Sequence, residues 1–351
     1  MLPRSRLGFL VLAVHLLAAA ASAQQTGVAV QPGTGRISLD VVVTAKSGPP
    51  VAGLQQQDFT LLDNKHPQTI TSFKAVAGRE APIEVIVVID AVNATVQNVG
   101  YERIEIDKFL RAEGGHLAYP IAFAVLTDSG MQIVGNFSTD GNALSAALQQ
   151  VDAGLRTFGR SAGLAGAAER WKLSLGALRQ LVASKIPRPG RQIMVWISPG
   201  WSLLAGPSAE LDSNQEKQIF ADIASLSTRL LQARVTLYGV DPLGSGESMM
   251  RTSYYKDFLK GVSKPSEVNL GDLSLPVLAI QSGGLALNSS NNIAGLIQEC
   301  VADAAPYYEI SFDSSAAERP DEYHHLEVKI AKPGLTARTR QGYYAQPVRH
   351  E

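Results

Sequence analysis

The feature that most constrains this chain is a set of short apolar runs that stop on turn or acidic residues. Residues 83–89 read IEVIVVI and stop at Asp90. IAFAVL (121–126), IMVWI (193–197) and VTLYGV (235–240) repeat the grammar, the last two stopping at Ser198-Pro199-Gly200 and at Asp241. A strand with one face in water alternates apolar and polar residues. Runs that do not alternate belong to strands covered on both faces, the habit of parallel sheets. Helical periodicity lies between the runs. Leu164, Ala168, Trp171, Leu175, Leu178 and Val182 recur every three or four residues, as do Ile219, Ile223, Leu226 and Leu230. Further helices are expected around 99–111 and 292–304, and 131–137 reads as a hairpin partner of 121–126. The stretch 244–276 has no readable period and is taken as an insertion or loop. Residues 81–306 are therefore expected to form an α/β unit, a doubly wound, mostly parallel sheet.

Both ends carry a different pattern. Ile37, Leu39, Val41 and Val43 alternate with their neighbours, and Phe59–Leu62 and Thr69–Phe73 follow as short strands. After the middle unit come Tyr307–Phe312, then Leu326, Val328 and Ile330 alternating with Glu327 and Lys329. Lys332-Pro333-Gly334 has the type II turn order, with 335–340 as the returning strand. Small strand sets need partners to bury a face. The two ends, 36–80 and 307–345, are accordingly expected to pair into one β-sandwich with the α/β unit inserted between them.

The first residues read as an address. Arg4 and Arg6 precede an apolar run from Leu7 to Ala21, and Ala21-Ser22-Ala23 is an A-x-A cleavage site. Residues 1–23 are thus expected to be a signal peptide and 24–35 a polar linker. No later apolar stretch is long enough for a membrane span. The protein is expected to be exported, periplasmic or secreted. A single cysteine, Cys300, excludes an intramolecular disulfide and a cysteine-rich metal site. It reads as a small packed residue. Thirty-one Lys+Arg against 32 Asp+Glu leaves no basic excess for nucleic acid.

Three stretches carry a family resemblance: ISLDVVVTAKSGPPVAGLQQQDFTLLDNKHPQTITSF (37–73), the apolar strand ending in Asp90, and a tail of YYEISFD (307–313) and HLEVKIAKPGLTARTRQGYYA (325–345). Together they resemble the von Willebrand factor A-type domain and, more closely, the VWFA-related family described from Acidobacteria. The resemblance implies a protein-interaction or adhesion-type module. It also implies a Mg²⁺ site built from D-x-S-x-S, a Thr from a second loop and an Asp from a third. A small hard cation needs several such oxygens in near-octahedral order. Here the first loop is Asp90-Ala91-Val92-Asn93-Ala94, so both serines are replaced by residues without a side-chain oxygen. Ser161 is the best stand-in for the Thr, and Pro199 replaces the acidic ligand after Ser198. The site reads as vestigial at Asp90 and Ser161, and no metal or cofactor is expected. A shifted register using oxygens of Asn93 and Thr95 is the rival. Partner contact is expected through the loops holding Asp90, Asn93, Thr95, Ser161, Ser198, Trp201 and Asp241, with Trp201 as an exposed anchor or as a ring folded over the sheet end.

Two other readings compete. Gly159-Arg160-Ser161-Ala162-Gly163 matches G-x-S-x-G, and Asp241 and His324 follow in the order of a Ser…Asp…His hydrolase. However, 153–158 lacks the strand that a nucleophile elbow needs. His324-His325 are adjacent on a strand, so their side chains point to opposite faces and cannot readily share an ion. Alternatively, the sandwich binds and the α/β unit is a spacer.

Overall fold

The computed structural model describes residues 35–46, 48–78, 82–151, 164–186, 189–201, 211–243, 255–288 and 290–347. The expected signal peptide, all of the linker but Gly35, and the segment 159–163 with Ser161 lie outside them.

The chain folds as mixed α/β with one mostly parallel sheet and two antiparallel ones. The large sheet holds β5 (Ile83–Asp90), β6 (His116–Thr127), β7 (Gly130–Asp140), β8 (Arg191–Ile197), β9 (Val235–Val240) and β10 (Ala286–Leu287), in the order β10-β9-β8-β5-β6-β7. All neighbours are parallel except β6 and β7. The non-alternating runs behave as their pattern requires. Val85, Val87 and Ile89 join one core with Ile193, Val195 and Ile197. Ile86 and Val88 join the opposite core with Met194 and Trp196. The first core is covered by α1 (Val96–Arg111), α2 (Gly141–Gln150) and α6 (Ile293–Ala302). The second is covered by α3 (Leu164–Ala183), α4 (Ser213–Gln232) and α5 (Leu275–Gln281). The stretch read as a loop holds short 3-10 turns at 255–258, 265–267 and 270–273, among its described residues, before α5.

The antiparallel sheets mix strands from both parts of the chain. One has the order β13-β1-β11-β4: β1 (Arg36–Ala45), β4 (Ser72–Val76), β11 (Tyr307–Asp313) and β13 (Leu335–Arg338). The other has the order β14-β12-β2-β3: β2 (Phe59–Asp63), β3 (His66–Gln68), β12 (Glu322–Ile330) and β14 (Gly342–Ala345). Leu39, Val41, Ile310 and Phe312 of the first pack with Leu61, Leu326 and Tyr343 of the second in one core.

Three details differ from the sequence reading. The strand placed at 69–73 forms instead at 72–76, where it pairs with β11. The strand after Pro333-Gly334 does not return along β12, because β12 is already flanked by β2 and β14. The chain turns at Gly334, at φ 77°, and β13 pairs with β1 instead. The four-residue β14 was not anticipated, since a run that short has no period to read.

Arg191 joins the two places where the chain crosses between these layers. Its backbone N–H donates to the Pro82 carbonyl at 3.1 Å, and its guanidinium donates to the carbonyls of Asp303 and Ala304 at 3.0 and 2.8 Å. Gly190 makes the approach feasible: at φ 91°, a Cβ there would lie 2.0 Å from the Pro82 oxygen. A second tie is Arg234, which reaches Asp40 on β1 and Glu309 on β11, the latter at 2.9 Å.

Candidate functional site at the sheet edge

Asp90 ends β5 at the carboxyl edge of the parallel strands, where open α/β sheets bind ligands. The side chain is fully buried. Oδ1 accepts from the backbone N–H groups of Val92 (3.1 Å) and Asn93 (3.0 Å). Oδ2 accepts from Asn93 Nδ2 (2.8 Å), Trp196 Nε1 (3.1 Å) and Ser198 Oγ (2.9 Å). Asn93 Nδ2 also donates to Ser174 Oγ on α3 at 2.8 Å, which fixes the amide orientation. Burial raises the Asp90 pKa, and the bonds from Asn93, Trp196 and Ser198 pull against that rise. All five groups are donors, so the carboxyl they surround is the acceptor-only, ionised form.

This donor set does not fit a divalent cation. Both Asp90 oxygens are taken by N–H and O–H groups, the Trp196 indole N–H among them. Val92 and Ala94 have no side-chain oxygen, and Pro199 supplies none. The shifted register would rest on Asn93 Oδ1, which is buried without a hydrogen-bond partner among the described residues, and on Thr95. Asn93 turns its amide nitrogen to Asp90, and Thr95 Oγ1 accepts from Asn98 N–H at 3.1 Å as the N-cap of α1. Among the described residues, no cluster of three His, Cys, Asp or Glu side chains is placed to hold a metal.

The other expected site residues scatter. Ser198 joins Asp90, and its hydroxyl also accepts from Gly200 N–H at 3.1 Å. Of the two readings of Trp201, the exposed anchor is not formed and the buried ring is. It is 2% exposed, stands edge-on to Trp196 with centroids 5.1 Å apart, and donates its indole N–H to the Leu273 carbonyl at 2.7 Å. Thr95 is exposed, Asn93 and Asp241 half-buried. Asp241 follows β9, and its carboxylate accepts from Leu243 N–H at 2.9 Å.

The hydrolase pairing of Asp241 with His324 is not formed. His324 lies in β12, 5% exposed, with Nδ1 2.8 Å from Asp63 Oδ1. Asp63 Oδ2 accepts from Tyr343 (2.8 Å) and Ser315 (3.0 Å). The bond to Asp63 raises the His324 pKa. Cys300 is buried in α6, which lifts its thiol well above the usual range.

Sequence reasoning missed the donor role of Trp196, the Asp63–His324 pair and Glu102. Glu102 had a readable signal: it sits in the apolar stripe of α1 between Val99 and Ile106, and it is fully buried.

No family model matches the chain, and no curated protein matches it. Solved structures similar to it include von Willebrand A-type proteins. Human Sec24c, a COPII-coat protein, is 8% identical over 78% of this chain and 44% of its own, with a TM-score of 0.36. Proximal thread matrix protein 1 of the mussel byssus, with a zinc-occupied MIDAS motif, is 12% identical over 69% of this chain and 50% of its own, TM-score 0.38. The manganese-loaded TRAP protein of Plasmodium vivax is 8% identical over 79% of this chain and 98% of its own, TM-score 0.37. The chain spans about half the length of the first two.

Proposed function

We propose that this is an exported, non-enzymatic protein-interaction module, periplasmic or secreted. In this reading an A-type α/β unit (81–306) is inserted into a β-sandwich made from 36–80 and 307–345, and it works without a metal. The observation that carries the reading is the closed hydrogen-bond shell of Asp90. An ion-bridged contact needs open carboxylate oxygens, and here five internal donors occupy them. Asp90, Ser198 and Trp201 then act from beneath, holding the loop shapes. Contact falls to the outer residues Asn93, Thr95 and Asp241 and to the loop of Ser161.

Calorimetry of the mature protein with Mg²⁺ and Mn²⁺ tests the metal-free part. No saturable heat is expected; micromolar binding abolished by Asp90→Ala would overturn it. Crosslinked capture from the protein's own envelope tests the surface. Capture should survive EDTA and fail with Thr95→Arg; capture that needs a divalent ion, or that Thr95→Arg leaves intact, counts against it.

A second reading places binding on the antiparallel sheets. An open groove of about 470 Å³, lined by Gln56, Gln57, Thr60, Gln68 and Ile70, favours it. Capture lost on Thr60→Arg and kept in Thr95→Arg would select this reading.

A further inference from the structure

Asp90 and Glu102 are both fully buried near the same sheet edge, and their surroundings are opposite. Asp90 has five donors. Neither oxygen of Glu102 has a hydrogen-bond partner among the described residues. The charges that act on it are those of Asp90 and Asp241, both of its own sign.

Among the described residues, the cations nearby are committed elsewhere. On α1 itself, Arg103 donates to the carbonyls of Leu148 (2.7 Å) and Val151 (3.2 Å). Lys108 pairs with Glu105 at 3.7 Å, and Arg111 with Asp107 at 2.9 Å. Glu105 also accepts from Ala294 N–H at the start of α6, at 3.3 Å. From α2 the facing polar group is Ser145, bonded to Asp107. Glu299 of α6, Glu113 in the turn before β6 and His116 at the start of β6 are exposed. An ionised carboxylate in a dry layer needs donors or a counter-charge. Glu102 has neither.

We propose that Glu102 is a proton-holding latch: α1 seats on the sheet edge with this carboxyl neutral, and a negative charge there drives α1 and the 91–95 loop away from Asp90 and Asp241. The latch does not depend on what the loops bind. Burial, with the Asp90 and Asp241 charges added, raises the Glu102 pKa well above the ordinary 4.5. The unfolded chain releases this proton near its ordinary value and the folded chain keeps it. The stability tied to the neutral form is therefore complete below about pH 4.5 and is lost as pH rises toward the folded value.

The test is the thermal midpoint of the wild type and of Glu102→Gln from pH 4.5 to pH 9. The curves should meet at the acid end and then separate, the variant lying higher by roughly 2–4 °C for each pH unit crossed. Hydrogen exchange of the α1 amides, corrected for intrinsic rate, should loosen with pH in the wild type and not in the variant. Parallel midpoint curves, or a variant that is less stable at every pH, overturn the proposal. Should the variant not fold, infrared spectra of wild-type protein with ¹³C-carboxyl glutamate decide. A protonated-carboxyl band persisting at pH 8 supports the latch, and its absence overturns it.

Discussion

Replacing Asp90 with alanine tests the reading of the sheet edge most directly. The substitution takes the acceptor from five donors at once. Three of them, on Val92 and Asn93, lie in a half-buried loop where water can take over. The other two do not. Trp196 is 0% exposed and Ser198 is 2% exposed. A buried donor left without a partner costs about 1–3 kcal/mol, and the Ser198 hydroxyl can rotate to relieve part of its share. Removing the carboxylate also removes its own desolvation cost, which offsets some of the loss. The net expectation is a destabilisation of about 2–4 kcal/mol, or a thermal midpoint lowered by roughly 3–6 °C. Urea unfolding followed by tryptophan fluorescence reads the free energy and a thermal melt the midpoint, and the emission should shift in the folded state because Trp196 loses its hydrogen bond. Asp90→Asn keeps the volume but points an amide N–H₂ at other donors, so it should fall between wild type and Asp90→Ala. A cost below about 1 kcal/mol for Asp90→Ala would refute the reasoning. So would a rise in the wild-type midpoint with Mg²⁺ that the variant lacks.

Other sites give further expectations. Asp63→Ala should cost about 3–5 kcal/mol in urea unfolding, because it leaves His324 buried without its partner. For Asp63, burial pushes the pKa up and the bonds from His324, Tyr343 and Ser315 more than reverse it, so its contribution is present above about pH 3.8 and is lost as pH falls through the lowered value. His324 is raised chiefly by its bond to Asp63, so its contribution is complete below pH 6.5 and is lost as pH rises through the folded value. His324→Gln should flatten that alkaline loss in a urea-midpoint series. Arg234→Met should cost about 2–4 kcal/mol by leaving Asp40, whose side chain is 8% exposed, without its charge partner. Trp201→Ala should cost about 3–5 kcal/mol through the cavity left beside Trp196. Native-state fluorescence and urea midpoints check both.

Much of the fold could be read because burial on two faces leaves an unmistakable mark. Ile193–Ile197 has no polar residue and Ile83–Ile89 has only Glu84, near its start, and both became inner strands of the large sheet. Pairing choice left no such mark. Nothing in Leu335–Arg338 says that it joins β1 rather than β12, because both partners offer the same alternation and the decision lies in which edges are already taken. At the site, the chemistry of missing oxygens was readable at Val92, Ala94 and Pro199. What replaced them was not. Trp196 reads as one more apolar residue in its run, and only the sheet register brings its indole N–H to Asp90. Trp201 follows a Pro-Gly stop, a position that looks exposed in sequence. The carbonyl that receives its indole N–H comes from Leu273, far along the chain.

The placement of β1 bears on how such a chain reaches its native state. Both neighbours of β1, β11 and β13, come from the last stretch of the sequence, and the Ser38–Ser311 bond spans 273 residues. The earliest strand therefore waits with both edges open until almost everything after it exists. The strands of the large sheet are not held up in this way. Once they are in place, Arg191 has already drawn the two crossing points together. Closing the outer sheets then spans a short gap rather than a long one. Loop-closure entropy grows as (3/2)RT ln n, so shortening the 273-residue Ser38–Ser311 loop about fivefold through this tie is worth about 1.4 kcal/mol. A chain stopped before β11 would keep its parallel layer and leave β1 and β2 as open edges, the exposed pairing surface from which aggregation starts. The first strands made are the last to be finished, and that delay sets the interval in which the nascent chain most needs protection.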